Sequence, residues 1–197
     1  MGRLLLFSVI LTLLSSGCLG HNEIEVEEAR FKGTELNMEP DPGFNLSNSQ
    51  GGNWSLEQAR GKVVILLFSF TKCVETCPVV SANVHWLLQQ LDEEEKTQIQ
   101  AVSVTMDPWR DTPEVLAEWS SERGYDWPHL TGNDSAVLKV LVDHFIFIEP
   151  TNEEDYDIYH QQPTFLLDRD LNQRVLWSGA EWLPELVLED VRTLLEE

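Results

Sequence analysis

The sequence is short of positive charge, of cysteine and of long apolar runs. It holds five lysines among 13 basic residues, against 34 acidic ones, for a net charge of −21. Such a balance excludes nucleic acid as a partner and argues against adhesion to anionic lipid through basic patches. It suits a high-salt exterior, where repulsion between like charges is screened. Three cysteines, at 18, 73 and 77, are too few for a disulfide scaffold. A bridge between 73 and 77 would close so small a loop that it adds little stability through loop entropy. That pair is there to act rather than to staple. The lack of a second pair excludes a closed four-thiolate zinc site. With 197 residues and 42% hydrophobic content, the chain is long enough for one domain with a real core and too short for two.

The longest mostly apolar stretch, residues 4–14, follows Arg3 and ends in Ser15-Ser16-Gly17-Cys18. A membrane-spanning helix takes about 20 apolar residues, so this is expected to be a secretory leader, residues 1–17. Cys18, placed directly after small residues, resembles the lipidated cysteine of the prokaryotic lipoprotein lipobox. Residues 18–42, rich in Glu and poor in apolar side chains, read as an acidic tether. Residues 43–197 read as the folded domain.

Within the domain, residues 63–70 (VVILLFSF) form a near-continuous apolar, β-branched run, the pattern of a strand covered on both faces. The cysteines follow at once, in FTKCVETCP. Pro78 then opens a helix carrying Val80, Val84, Leu87 and Leu91 at helical spacing. Residues 99–106 read as a second strand. Thr112 and Pro113 are the N-cap and first position of another helix, and Asn133 or Asp134 caps a third. Residues 145–148 suggest a strand, residues 164–168 and 175–177 a hairpin, and residues 183–195 a last helix. Strands alternating with helices predict an α/β fold with a mixed central sheet flanked by helices. A cysteine motif between the first central strand and a helix is the thioredoxin-like arrangement.

A cysteine at a helix start meets the positive end of the helix dipole, which favours a thiolate at Cys77. Cys73, in the turn before it, is close enough to form a disulfide with Cys77 or to share a metal. Two soft thiolates suit Cu(I) or zinc, and one added imidazole makes a site that oxidised copper also accepts. Spacing by itself leaves both uses open. Of the five histidines, His21, His85, His129 and His144 read as solvated or core side chains. His160 stands out because YHQQPTFLLD follows the pattern of a loop leading into a late strand. In thioredoxin folds a Pro-Thr pair at that point carries a cis proline beside the cysteines, which would bring Pro163 and His160 to the same site. Asp107, Arg110 and Asp111 are expected to be structural: a turn, an ion pair and the start of a helix.

Three segments together resemble the Sco/SenC family of thioredoxin-like copper proteins, over roughly residues 44–197. FSFTKCVETCP is similar to F-x-[FY]-T-x-C-x-x-x-C-P. VTMDPWRDTPEVL is similar to the family's D-P-x-R-D-T-P-x-x-L segment. His160, eight residues before Asp168, falls where the family has its D-H-S-x-x-x-[YF]-L-x-D histidine, with Tyr159 and Gln161 in place of the usual Asp and Ser. The resemblance implies that Cys73, Cys77 and His160 bind one copper per chain, as Cu(I) or Cu(II). It implies a monomeric chaperone on the outer face of the cytoplasmic membrane, held there by lipid on Cys18. Its partner would be the copper-bearing subunit of a heme-copper terminal oxidase, whose binuclear centre it helps to assemble. Pro163 leans toward thioredoxin-like reductases and keeps a second use open: thiol–disulfide exchange with Cys73 as nucleophile and Cys77 as resolving thiol.

The anchor is directly testable. In fractionated cells, Cys18→Ser is expected to move the protein from the membrane to the soluble fraction; retention of the variant in the membrane would remove the lipid anchor from the account.

Overall fold

The computed structural model describes residues 29–37, 40–150, 158–159, 162–179 and 183–197, with residues 149–150 and 158–159 described by backbone alone. The expected leader, Cys18 and His160 lie outside the described residues.

The first elements are β1 (Thr34–Glu35), β2 (Asn45–Asn48), β3 (Asn53–Ser55) and a single 3₁₀ turn at Leu56–Ala59. Next come β4 (Val63–Ser69), α1 (Thr76–Gln89), α2 (Glu93–Thr97) and β5 (Ile99–Thr105). They are followed by α3 (Pro113–Ser121), β6 (His129–Thr131) and α4 (Asp134–Asp143). β7 (Glu149–Pro150) and β8 (Ile158–Tyr159) pair with each other as a small separate ribbon. β9 (Pro163–Leu167), β10 (Gln173–Ser178) and α5 (Pro184–Leu195) complete the chain.

Eight strands form one mixed sheet in the order β1-β10-β9-β4-β5-β6-β2-β3. β4–β5 and β5–β6 are parallel, and the other pairs are antiparallel. β4 lies at the centre because all seven of its residues are buried, as the unbroken apolar run predicts. The strand period of two sends alternate residues to opposite faces. Val63, Ile65 and Leu67 pack with Val80 and Val84 of α1 and Val187 and Val191 of α5. Val64, Leu66 and Phe68 pack with Val137, Val140 and Leu141 of α4, in the same cluster as Cys73 and Cys77. A fully buried aliphatic side chain contributes about 1.5–3 kcal/mol, so β4 is held hard from both sides.

The expected caps hold. The Thr112 hydroxyl accepts from Val115 N at 3.3 Å and the Asn133 side chain from Ala136 N at 3.0 Å. Three features differ from the sequence expectation. Residues 145–148 form no strand, because Phe145 turns the chain at φ 56° directly after α4. α2 was not expected: it buries no residue, so it has no apolar period to read, and a capping box at Asp92 and Glu95 marks its start instead. The described part of the expected tether also packs on the domain. Phe31 is buried, β1 pairs with β10, and the Lys32 and Gly33 amides donate to the buried Asp190 carboxylate at 2.6 and 2.9 Å. A Cβ on Gly33 would lie 2.6 Å from Trp177 Nε1, which itself donates to Asp190, so only glycine passes there. Asp41 is likewise bound, accepting from Gly43 N at 2.8 Å and Gln173 Nε2 at 2.9 Å and facing His144 Nε2 at 2.7 Å.

His129 is a core residue on β6, between the rings of Trp119 and Trp127 at centroid distances of 5.7 and 5.3 Å. Burial pushes it down from 6.5 to about 4, with only a partial offset from the Tyr125 backbone. A histidine held neutral by the fold is protonated first in the unfolded chain. Its contribution to stability is therefore complete above the unfolded value of 6.5 and is lost as pH falls toward 4. Between pH 7 and 4.5, His129→Leu is expected to remove roughly 2–3 kcal/mol of the wild-type loss of stability, measured by urea unfolding at both pH values; an unchanged difference would show that His129 takes no part in the acid response.

Candidate thiol site at the strand ends

β4 and β5 run parallel, with Ser69 opposite Thr105. Their carboxyl ends therefore open on the same edge of the sheet, where α/β folds gather functional groups. Met106 N donates to Ser69 O at 2.9 Å and prolongs the pairing past the strands. β9 is antiparallel to β4, with Thr164 opposite Leu67, so it begins at this same edge. Three segments meet there: residues 70–75, residues 106–112, and Gln162 just before β9.

Asp111 ties the first two together. It is fully buried, and accepts from Thr71 N at 3.1 Å, Thr71 Oγ1 at 2.5 Å and Thr105 Oγ1 at 2.6 Å. Burial pushes its carboxyl above the ordinary value against these hydrogen bonds, and the neighbouring Asp107 adds to the rise. Asp107 pairs with Arg110, and its amide donates to Thr105 Oγ1 at 2.9 Å. The expected turn and ion pair are present at Asp107 and Arg110, but Asp111 does not start the helix, since Thr112 is the cap. It clamps the loop that carries the cysteines onto the end of β5.

Cys73 and Cys77 are thiols not joined by a disulfide, 9% and 0% exposed. α1 starts at Thr76, two residues before Pro78, and its N-cap residue Glu75 makes no side-chain cap. Cys73 Sγ takes that place, accepting the Cys77 backbone N–H at 3.3 Å, with Thr76 Oγ1 3.8 Å away. One amide of the helix start thus faces Cys73. The expectation of a favoured thiolate at Cys77 is overturned: burial pushes the Cys77 thiol far up, and the adjoining Cys73 pushes the same way. Its first-turn position cannot offset the loss of water around a fully enclosed sulfur.

Gln162 was missed as a site residue. It is buried, its Oε1 lies 3.1 Å from Cys77 Sγ and 3.3 Å from Thr76 Oγ1, and its Nε2 donates to Phe68 O. The one available signal was its place directly before a strand that must begin beside the cysteines. Pro163 is buried as the first residue of β9, opposite Ser178. The described peptide bonds are all trans, so Pro163 is not the expected cis proline. Antiparallel pairing with β10 starts at Pro163 itself and holds the chain extended there, and Gln162 makes the hydrogen bonds to the thiol segment. Among the described residues, no third Cys, His, Asp or Glu joins the pair in a ligating cluster; His160 lies outside them.

The SCO1/SenC family model matches residues 32–196. Protein SCO2 of Saccharomyces cerevisiae mitochondria is 30% identical over 157 residues, 78% of this chain. An SCO2-like protein of Rickettsia prowazekii is 31% identical over 130 residues, 64% of this chain. The chain spans 52% and 63% of the lengths of these two relatives. Apo Sco1 of Thermus thermophilus superposes with a TM-score of 0.71 at 29% identity, over 83% of this chain and 96% of that one. BsSco, a member of the Sco family of cytochrome c oxidase assembly proteins with a disulfide switch, gives 0.66 at 27% identity, over 82% and 96%. Copper-bound yeast Sco1, at 23% identity, shares the fold, with a TM-score of 0.71 over 81% of this chain and 90% of that one. The thioredoxin-like fold, the paired thiols at the end of its central strand and the match across residues 32–196 make this chain a member of the SCO1/SenC family.

Proposed function

We propose that this protein is an extracytoplasmic copper chaperone that assists assembly of the binuclear copper centre of a heme-copper terminal oxidase. The cargo is one copper ion, held by the Cys73 and Cys77 sulfurs with His160 as the imidazole ligand. The observation that carries this reading is the placement of two thiols on one helix start, with Cys73 Sγ 3.3 Å from the Cys77 amide. Paired sulfurs at the edge of a buried apolar cluster fit Cu(I), a soft ion that needs few ligands and no water. An added imidazole would extend the site to Cu(II). Copper-bound yeast Sco1 and the assembly role of BsSco point the same way. Delivery to a membrane-embedded oxidase from outside the cell fits a lipid on Cys18, on the outer face of the cytoplasmic membrane. The partner is the copper-bearing subunit of that oxidase, met by a monomer.

A second reading has its own observation. Cys73 is the slightly exposed thiol and Cys77 the fully buried one, which is the layout of an attacking and a resolving thiol. In a thiol–disulfide oxidoreductase, Cys73 would open the disulfide of a partner protein and Cys77 would displace that partner from Cys73. Pro163 would act only by shaping the backbone that borders the pair.

Copper titration separates the two. With Cys18→Ser to remove the third thiol, the reduced chain is expected to take up one Cu(I) and one Cu(II) in separate titrations. His160→Ala is expected to abolish Cu(II) binding and keep Cu(I) binding. Absence of copper binding by the reduced protein would overturn the chaperone reading, and full Cu(II) binding without His160 would remove that residue from the site.

A further inference from the structure

Gln162 sits against the thiols with its amide orientation decided by chemistry. The Phe68 carbonyl can only accept a hydrogen bond, so the NH₂ group of Gln162 faces it. Oε1 must then face the other way, 3.1 Å from Cys77 Sγ and 3.3 Å from Thr76 Oγ1. An acceptor is thereby held at the buried sulfur by a bond to the central strand, and the Cys77 S–H donates to it. A thiol has that hydrogen to give, and a disulfide sulfur does not.

We propose that Gln162 is a positioning residue that favours the dithiol over the disulfide form of the Cys73/Cys77 pair and so raises the reduction potential of the couple. The inference rests on the reading of these cysteines as an exchangeable thiol pair. In the exchange, the two thiols lose two electrons and two protons and form one S–S bond. An external disulfide gains those electrons and protons, its S–S bond breaks, and it leaves as two thiols. The hydrogen that Gln162 receives is one of those lost. Oxidation therefore takes the S–H donor away from Oε1 and leaves it beside a sulfur that can only accept. The Phe68 bond holds the amide where it is and prevents it from turning its NH₂ group toward the oxidised sulfur. The carboxamide thus acts on one redox state and not on the other, whereas a residue needed only for packing would support both.

The test is the redox equilibrium of the full chain carrying Cys18→Ser, with and without Gln162→Leu. Each protein is equilibrated at pH 7 in mixtures of oxidised and reduced dithiothreitol, quenched with acid, alkylated and weighed by mass spectrometry. A net hydrogen bond of the usual strength, here with a weak S–H donor, predicts a shift of roughly three- to tenfold toward the disulfide in the variant. That corresponds to about 15–30 mV toward more negative potential. Gln162→Met, close in length and without hydrogen-bonding groups, gives the same measurement if the leucine variant does not fold, and the same shift is expected. A variant equilibrium constant within a factor of two of the wild type, or shifted toward the dithiol, overturns the proposal while leaving the exchange reading in place. A wild-type pair that forms no intramolecular disulfide at any mixture removes the exchange reading and the role of Gln162 together.

Discussion

The parallel pairing of β4 with β5 is the constraint on which the site depends. Seven residues of each strand align, from Val63 opposite Ile99 to Ser69 opposite Thr105. Both strands are almost wholly buried, so a slip of one residue would turn Val64, Leu66 and Phe68 out of one core and into the other. Because the register is rigid, the two loops leaving the carboxyl ends emerge side by side. Asp111 then reaches Thr71 across the gap, and Met106 closes onto Ser69. The cysteine loop thus inherits its position from a ladder of aliphatic side chains that play no part in its chemistry.

At the thiols, two effects of opposite sign compete. A helix start offers a negative group about 0.3–1 kcal/mol at an exposed position, and up to roughly 2 in a favourable buried one. Full burial shifts an ionisable group by up to about 3–5 units, each worth 1.36 kcal/mol. Desolvation therefore wins at Cys77, while Cys73, slightly exposed, takes the helix amide on its sulfur. The cysteines are four residues apart in sequence yet chemically unlike in place. Gln162 adds to the difference, since it contacts the sulfur of Cys77.

The central strand, the order of strands and helices, and the caps at Thr112 and Asn133 were legible because each rests on a local pattern: an unbroken apolar run, a change of period, a polar residue before a proline or an apolar helix. α2 and β6 were not legible. α2 is a solvated helix with no buried face, and β6 is too short for a period to show. The packing of residues 29–37 and 40–42 on the domain was hidden too. Their composition is that of a solvated tether, and what binds them are single long-range contacts, through Phe31, Asp190 and the His144–Asp41 pair.

For the site, the FTKCVETCP motif, the DPWRDTPE run and the position of His160 together made the chain resemble thioredoxin-like copper proteins. They are short motifs whose residues must lie together along the chain. Tertiary structure decided the rest. It made Cys77 the enclosed thiol, turned Asp111 into the clamp on the cysteine loop, kept Pro163 in a trans peptide at the first register of β9, and brought Gln162 to the sulfur from 85 residues away. Proximity along the chain is written in sequence; desolvation, and a hydrogen bond between segments remote in sequence, exist only once the sheet has closed.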